Sequence, residues 1–167
     1  MDTNHDFKEL IKKVEEMKRS GTVDLSTEED LSLAVMNLVS LEEHFFFTAS
    51  KTGKPEYFNF LDDIRSMRKA LLGRLIDKRE HEGETWCITK HLLGATMRLI
   101  EVGTKLHADG KTKEAEETYE HAYRLYGIFW GLRLKLLSVK DVKQIAGEEK
   151  PWTLKDIMGK LVACCDE

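Results

Sequence analysis

The segment from Leu99 to Leu125 constrains the fold more than any other part of this chain. Two helical runs lie on either side of a turn at residues 109–111, and a turn this short forces the second helix to run back beside the first. Small residues stand where two such helices would approach most closely, at Gly103 before the turn and at Ala115 and Ala122 after it. The segment therefore predicts a tight antiparallel helical hairpin.

The same spacing, L-x2-V-G-x2-L-x3-G-x4-A-x3-Y-x2-A-x2-L over residues 99–125, resembles one tetratricopeptide repeat. Gly103, Ala115 and Ala122 match positions at which that family has small residues, and Tyr119 matches an aromatic position. The resemblance implies that packed helices bind another protein rather than catalyse a reaction. A hairpin within an ordinary bundle also needs small residues at its crossing, and this is the alternative interpretation.

Hydrophobic residues recur at helical spacing along nearly the whole chain, and no segment alternates as a strand does. Ser26 and Glu29 have the spacing of a capping box, which predicts the start of the second helix. The predicted helices span 6–19, about 26–50, 55–78, 84–108, 112–137 and 154–164. We therefore predict an all-α fold, an antiparallel bundle of about five long helices plus a short C-terminal helix. The bundle is expected to form one domain over residues 1–167, with 148–167 loosely attached and the second, fourth and fifth helices innermost.

Composition excludes several classes of function. The formal net charge is −4, which argues against nucleic-acid binding because that needs an excess of Lys and Arg. No run approaches the ~20 apolar residues that span a bilayer, and the N-terminus does not resemble a signal peptide. The three cysteines, Cys87, Cys164 and Cys165, form no disulfide framework. We expect a cytoplasmic protein that has no cofactor and no membrane partner.

The second predicted helix is apolar on nearly every side, which indicates either a central helix or one that presents a face to a partner. A line of aromatic residues on the fifth helix lies beside that helix's core face. Because exposed apolar patches are usually partner surfaces, we predict a protein–protein interaction module that forms a homodimer. The alternative is that the first and sixth helices cover these residues within one monomer. The predicted interaction surface comprises Phe46, Phe47, Tyr119, Tyr123, Tyr126 and Trp130.

Polar residues on apolar helices offer a second interpretation, a pocket that binds a small ligand or a metal ion. Such residues cost free energy unless they find partners, so a buried structural network would explain them equally well. The candidate pocket residues are Glu43, His44, Arg65, Arg68 and His91. The candidate metal ligands are Glu84, Cys87 and His91 on one helix and His121 on the next. One helix alone cannot complete a zinc site.

A third interpretation is enzymatic. Arg74 and His81 are separated by six residues, at the loose end of the Arg…His spacing in the HEPN ribonucleases, which this pair resembles. Those enzymes usually have a polar residue directly after the arginine, where this chain has Leu75. No glycine-rich phosphate loop or Cys-x-x-Cys pair is present. We therefore name no catalytic residue and expect no enzymatic activity.

Overall fold

The computed structural model describes residues 12, 15–17, 19–21, 24–77 and 84–137. Within them lie four long helices: α1 (Leu25–Thr52), α2 (Glu56–Leu75), α3 (Thr85–Ala108) and α4 (Thr112–Arg133). Residues 12, 15–17 and 19–20 are also helical, and the described part of the chain contains no strand. The predicted all-α fold is confirmed. The sixth predicted helix and most of the first lie outside the described residues.

The beginning of α1 differs from the prediction. Asp24 is the N-cap, and its carboxylate accepts hydrogen bonds from the Thr27 backbone N–H at 3.1 Å and from the Thr27 hydroxyl at 2.7 Å. The predicted cap at Ser26 was therefore wrong, because a carboxylate two residues earlier already satisfies the free donors of the first turn. The hydrogen bond from the Thr27 hydroxyl has the larger effect, and together the two bonds lower the pKa of Asp24.

The helices alternate in direction. The turn at residues 53–55 reverses the chain between α1 and α2, and Gly53 ends α1 in the left-handed region at φ 65°, which glycine adopts with little strain. The helices α1 and α3 run parallel, because Val39 lies against Gly94 while Glu43, four residues later, binds Arg98, also four residues later. The second turn reverses the chain again, so that α4 is antiparallel to α3.

The core lies mainly between the first half of α1 and the ends of α2 and α4. Phe129 of α4 is fully buried, and its ring stacks on that of Tyr126 with centroids 6.0 Å apart. The helix α1 reaches all three other helices, which agrees with its predicted central place. Buried side chains from every helix complete the cluster, among them Val35, Met36, Leu72, Leu75, Ile76, Leu93 and Trp130.

The α3–α4 hairpin has the predicted close packing. A Cβ atom at Gly103 would lie 2.6 Å from Cε1 of Tyr119, so the aromatic ring occupies the space that a side chain would need. Ala115 and Ala122 are buried at 0% and 3% exposure. The antiparallel hairpin is confirmed, whereas kinship with tetratricopeptide repeats stays a prediction. Two helices end earlier than predicted: α2 ends at Leu75 and α4 at Arg133.

Candidate interaction surface and polar groove

The helix α1 is central and yet exposes large apolar side chains. Leu33 is 42% exposed, Phe46 49% and Phe47 61%. The rings of Phe46 and Phe47 meet edge to face, with centroids 5.4 Å apart. The structure thus leaves both phenylalanines of the predicted interaction surface accessible.

Further aromatic residues surround the turn between α1 and α2. The ring of Phe45 stacks against those of Tyr57 and Phe60, at centroid distances of 6.3 and 5.6 Å. Phe58 is 44% and Phe60 52% exposed. We call the exposed residues Phe46, Phe47, Phe58 and Phe60 the aromatic end. Phe58 and Phe60 were not among the predicted surface residues, although aromatic residues at 57, 58 and 60 cannot all face one side of a helix.

The aromatic line of α4 does not form the predicted surface. Tyr126 is 9% and Trp130 2% exposed, and both belong to the core. The helix is apolar on all sides near its end, so its aromatic residues are buried against α1, where the hydroxyls of Ser32 and Tyr126 share a hydrogen bond of 2.6 Å. Tyr126 and Trp130 are therefore removed from the candidate surface.

The two tyrosines earlier in α4 are more accessible. Tyr119 is 36% exposed, and its ring covers Gly103 while its hydroxyl donates to Thr104 Oγ1 at 3.3 Å. Tyr123 is half-buried, and burial raises the pKa of its phenol. Tyr119 thus packs at the edge of the α3–α4 hairpin. These contacts account for the residue without a role in binding a partner.

The two arginines of the predicted pocket bind a carboxylate that the prediction did not include. Arg68 is buried, and its Nε donates to Glu42 Oε1 at 2.7 Å and its Nη2 to Oε2 at 3.2 Å. Arg65 Nε donates to Glu42 Oε2 at 3.3 Å. Successive residues of a helix point about 100° apart, so Glu42 faces α2 whereas Glu43 faces α3. The arginines are thus part of a structural network that ties α2 to α1.

This network has a predictable pH dependence. Burial raises the pKa of Glu42, but the hydrogen bonds and charges of Arg68 and Arg65 outweigh burial and hold that pKa below its ordinary 4.5. A lowered pKa in the folded state contributes stability that is present above pH 4.5 and is lost as the pH falls through the folded value. We expect the difference in unfolding free energy between wild type and Glu42→Gln to shrink below about pH 4 in urea titrations. A difference that stays constant down to about pH 3 would contradict this assignment.

Glu43 and His44 lie in an open groove of about 540 Å³ between α1 and α3, which we call the α1–α3 groove. Arg98 binds the carboxylate of Glu43 and donates from Nη1 to Glu101 Oε2 at 2.6 Å. The hydrogen bond to Glu43 is the main cause that raises the pKa of Arg98. Because its guanidinium is engaged by two carboxylates, Arg98 does not present a free anion-binding site. The groove is also lined by Ser40, Phe47, Thr48 and Lys51.

The structure does not assemble the other candidate sites. His91 is exposed on α3 and is not among the residues lining the groove. Glu84, Cys87 and His121 are exposed too, and among the described residues no three His, Cys, Asp or Glu side chains lie close enough together to hold a metal ion. Arg74 is exposed near the end of α2, whereas its predicted catalytic partner His81 lies outside the described residues.

Comparison with other proteins gives no assignment. No protein-family model matches the chain, and neither a curated protein nor a solved structure shows significant similarity to it. None of the helices that the structure describes is long and apolar enough to cross a bilayer.

Proposed function

We propose that this chain is a non-catalytic, cytoplasmic interaction module that forms a homodimer, with α1 at the interface and no cofactor. The observation that carries the proposal is the exposure of Leu33, Phe46 and Phe47 on a helix that also forms the centre of the bundle. Exposed apolar side chains that cluster, as the touching rings of Phe46 and Phe47 do, are typical of binding surfaces.

The four exposed rings of the aromatic end support the proposal. A phenylalanine ring can bury ~150–250 Å², and each of the four is about half exposed. Together they leave on the order of 400 Å² of apolar surface in contact with solvent, divided among different faces of α1 and α2. A stable interface buries ~800 Å² on each partner and has an apolar centre with a polar rim. Leu33 and Phe47 of α1 could contribute to such a centre, and the charged residues of the α1–α3 groove to the rim.

Light scattering coupled to size exclusion tests this directly. We expect the wild type to elute with the mass of a dimer at micromolar concentration and Phe47→Glu to elute as a monomer, because the substitution places two charges in the apolar centre. Met67→Glu is the matched control, since Met67 is 48% exposed on α2 and should leave the dimer intact. A wild type that stays monomeric throughout the micromolar range would refute the proposal.

A loss of the dimer must also be separated from a loss of folding. Circular dichroism of Phe47→Glu should show the helical content of the wild type, because the side chain is 61% exposed and contributes little to the core. If Met67→Glu dissociates the dimer as completely as Phe47→Glu does, the interface does not lie on α1 and the proposal is wrong.

A further inference from the structure

The outward face of α1 carries a stripe of seven residues that is chemically symmetric about its middle. The spacing along it alternates mainly between three and four residues, which keeps the stripe on one side of a helix. Its members are exposed or only partly buried, whereas Val35, on the opposite side of α1, is fully buried. From beginning to end the stripe consists of Glu29, Leu33, Asn37, Ser40, His44, Phe47 and Lys51.

Read outward from Ser40, the stripe meets a polar residue, an apolar residue and a charged residue in both directions. Asn37 and His44 come first, then Leu33 and Phe47 at seven residues on either side, and finally Glu29 and Lys51 at eleven. The two end residues have opposite charges. A surface with this order is complementary to its own copy when that copy is turned end for end.

From this order we infer that two copies of α1 pack antiparallel across a two-fold axis that passes through Ser40; the inference rests on the homodimer proposed above. In a two-fold interface, residue i of one copy meets residue j of the other, and j meets i. Leu33 then packs on the partner's Phe47, and Glu29 pairs with the partner's Lys51. The small Ser40 at the axis lets the two helices approach closely.

The two polar residues nearest Ser40, Asn37 and His44, also fit this arrangement. Asn37 donates its amide N–H to the Leu33 carbonyl at 2.9 Å, which leaves its Oδ1 as an acceptor directed away from that bond. In the antiparallel register Asn37 lies beside the partner's His44, whose ring N–H is a suitable donor. Among the described residues neither Glu29 nor Lys51 forms a salt bridge, so both charges are available to a second copy.

A cysteine at the axis tests the geometry. In full-length protein whose three native cysteines are replaced by serine, Ser40→Cys should form a disulfide-linked dimer under mild oxidation, because the two copies of residue 40 face each other at short Cα separation. Ser66→Cys in the same background is the matched control, since Ser66 is exposed on α2. It should give no more linked dimer than the parent protein.

Charge reversal tests the register without a covalent bond. Glu29→Lys and Lys51→Glu should each raise the dimer dissociation constant about tenfold, because each places like charges opposite one another at both ends of the helix pair. A mixture of the two variants should form a heterodimer with nearly wild-type affinity, since one copy then has lysine and the other glutamate at both positions. The recovery cannot come from either variant alone.

The outcomes separate this inference from the proposed function. A monomeric wild type removes both. A wild-type dimer that gives neither the Ser40→Cys linkage nor recovery in the mixed charge variants keeps the homodimer but overturns the antiparallel α1 pairing. Linkage through Ser40→Cys together with heterodimer recovery supports the pairing described here.

Discussion

Glu42→Ala is expected to lower the free energy of unfolding by about 3–5 kcal/mol, because it leaves the guanidinium of Arg68 buried without a counter-charge. Arg68 has a side-chain exposure of 6% and Glu42 of 14%, so water solvates the guanidinium less well than the lost carboxylate did. Equilibrium unfolding in urea, followed by circular dichroism, measures the effect.

The neighbouring residue is the matched control for Glu42. Glu43 also pairs with an arginine, but the side chains of Glu43 and Arg98 are 47% and 46% exposed. Pairs of this kind contribute about 0–1 kcal/mol because solvent screens them. Glu43→Ala should therefore change stability by less than about 1 kcal/mol. Equal losses in the two variants would show that the Glu42–Arg68 pair does not behave as a buried one.

Phe129→Ala is expected to lower the free energy of unfolding by about 3–5 kcal/mol, through lost apolar burial and the cavity that remains. The ring is fully buried and contacts those of Tyr126 and Trp130, with centroids 6.0 and 5.5 Å away. The same urea titration measures the change, and a loss below about 1.5 kcal/mol would mean that the core collapses around the site.

A half-exposed ring provides the comparison for Phe129. Phe58 is 44% exposed, so Phe58→Ala removes less buried surface and leaves no enclosed cavity. Its effect on the unfolding free energy should be less than half that of Phe129→Ala. Because Phe58 belongs to the aromatic end, both variants should be measured at the same protein concentration.

Local rules predicted most of the fold. The apolar spacing of α3 and the turn after it placed that helix within one residue, from 84–108 to Thr85–Ala108. The small residues of the hairpin predicted how closely α3 and α4 pack. The N-cap was wrong because two neighbouring positions, Asp24 and Ser26, both have capping chemistry and spacing alone does not choose between them.

The candidate site was harder to predict, because helical periodicity shows which way each side chain points but not which helix lies beside it. Glu42 and Glu43 look alike in sequence, and only the placement of α2 and α3 decides which carboxylate is buried against Arg68. The aromatic residues of α4 differ in burial for the same reason. Tyr119 and Trp130 share a stripe, yet the first lies beside one helix while the second is enclosed by the core.

The uneven distribution of the core has a consequence for motion. Buried side chains are concentrated where α1 begins and α4 ends, whereas the last turns of α1 and the first of α2 carry half-exposed rings. Regions with few buried contacts open at a lower free energy than the global unfolding reaction. Amide protons at the aromatic end should thus exchange through local fraying, and those of the core only through global opening. We therefore expect amide exchange to be faster in the half of the bundle that contains the aromatic end, and association through α1 would slow it there.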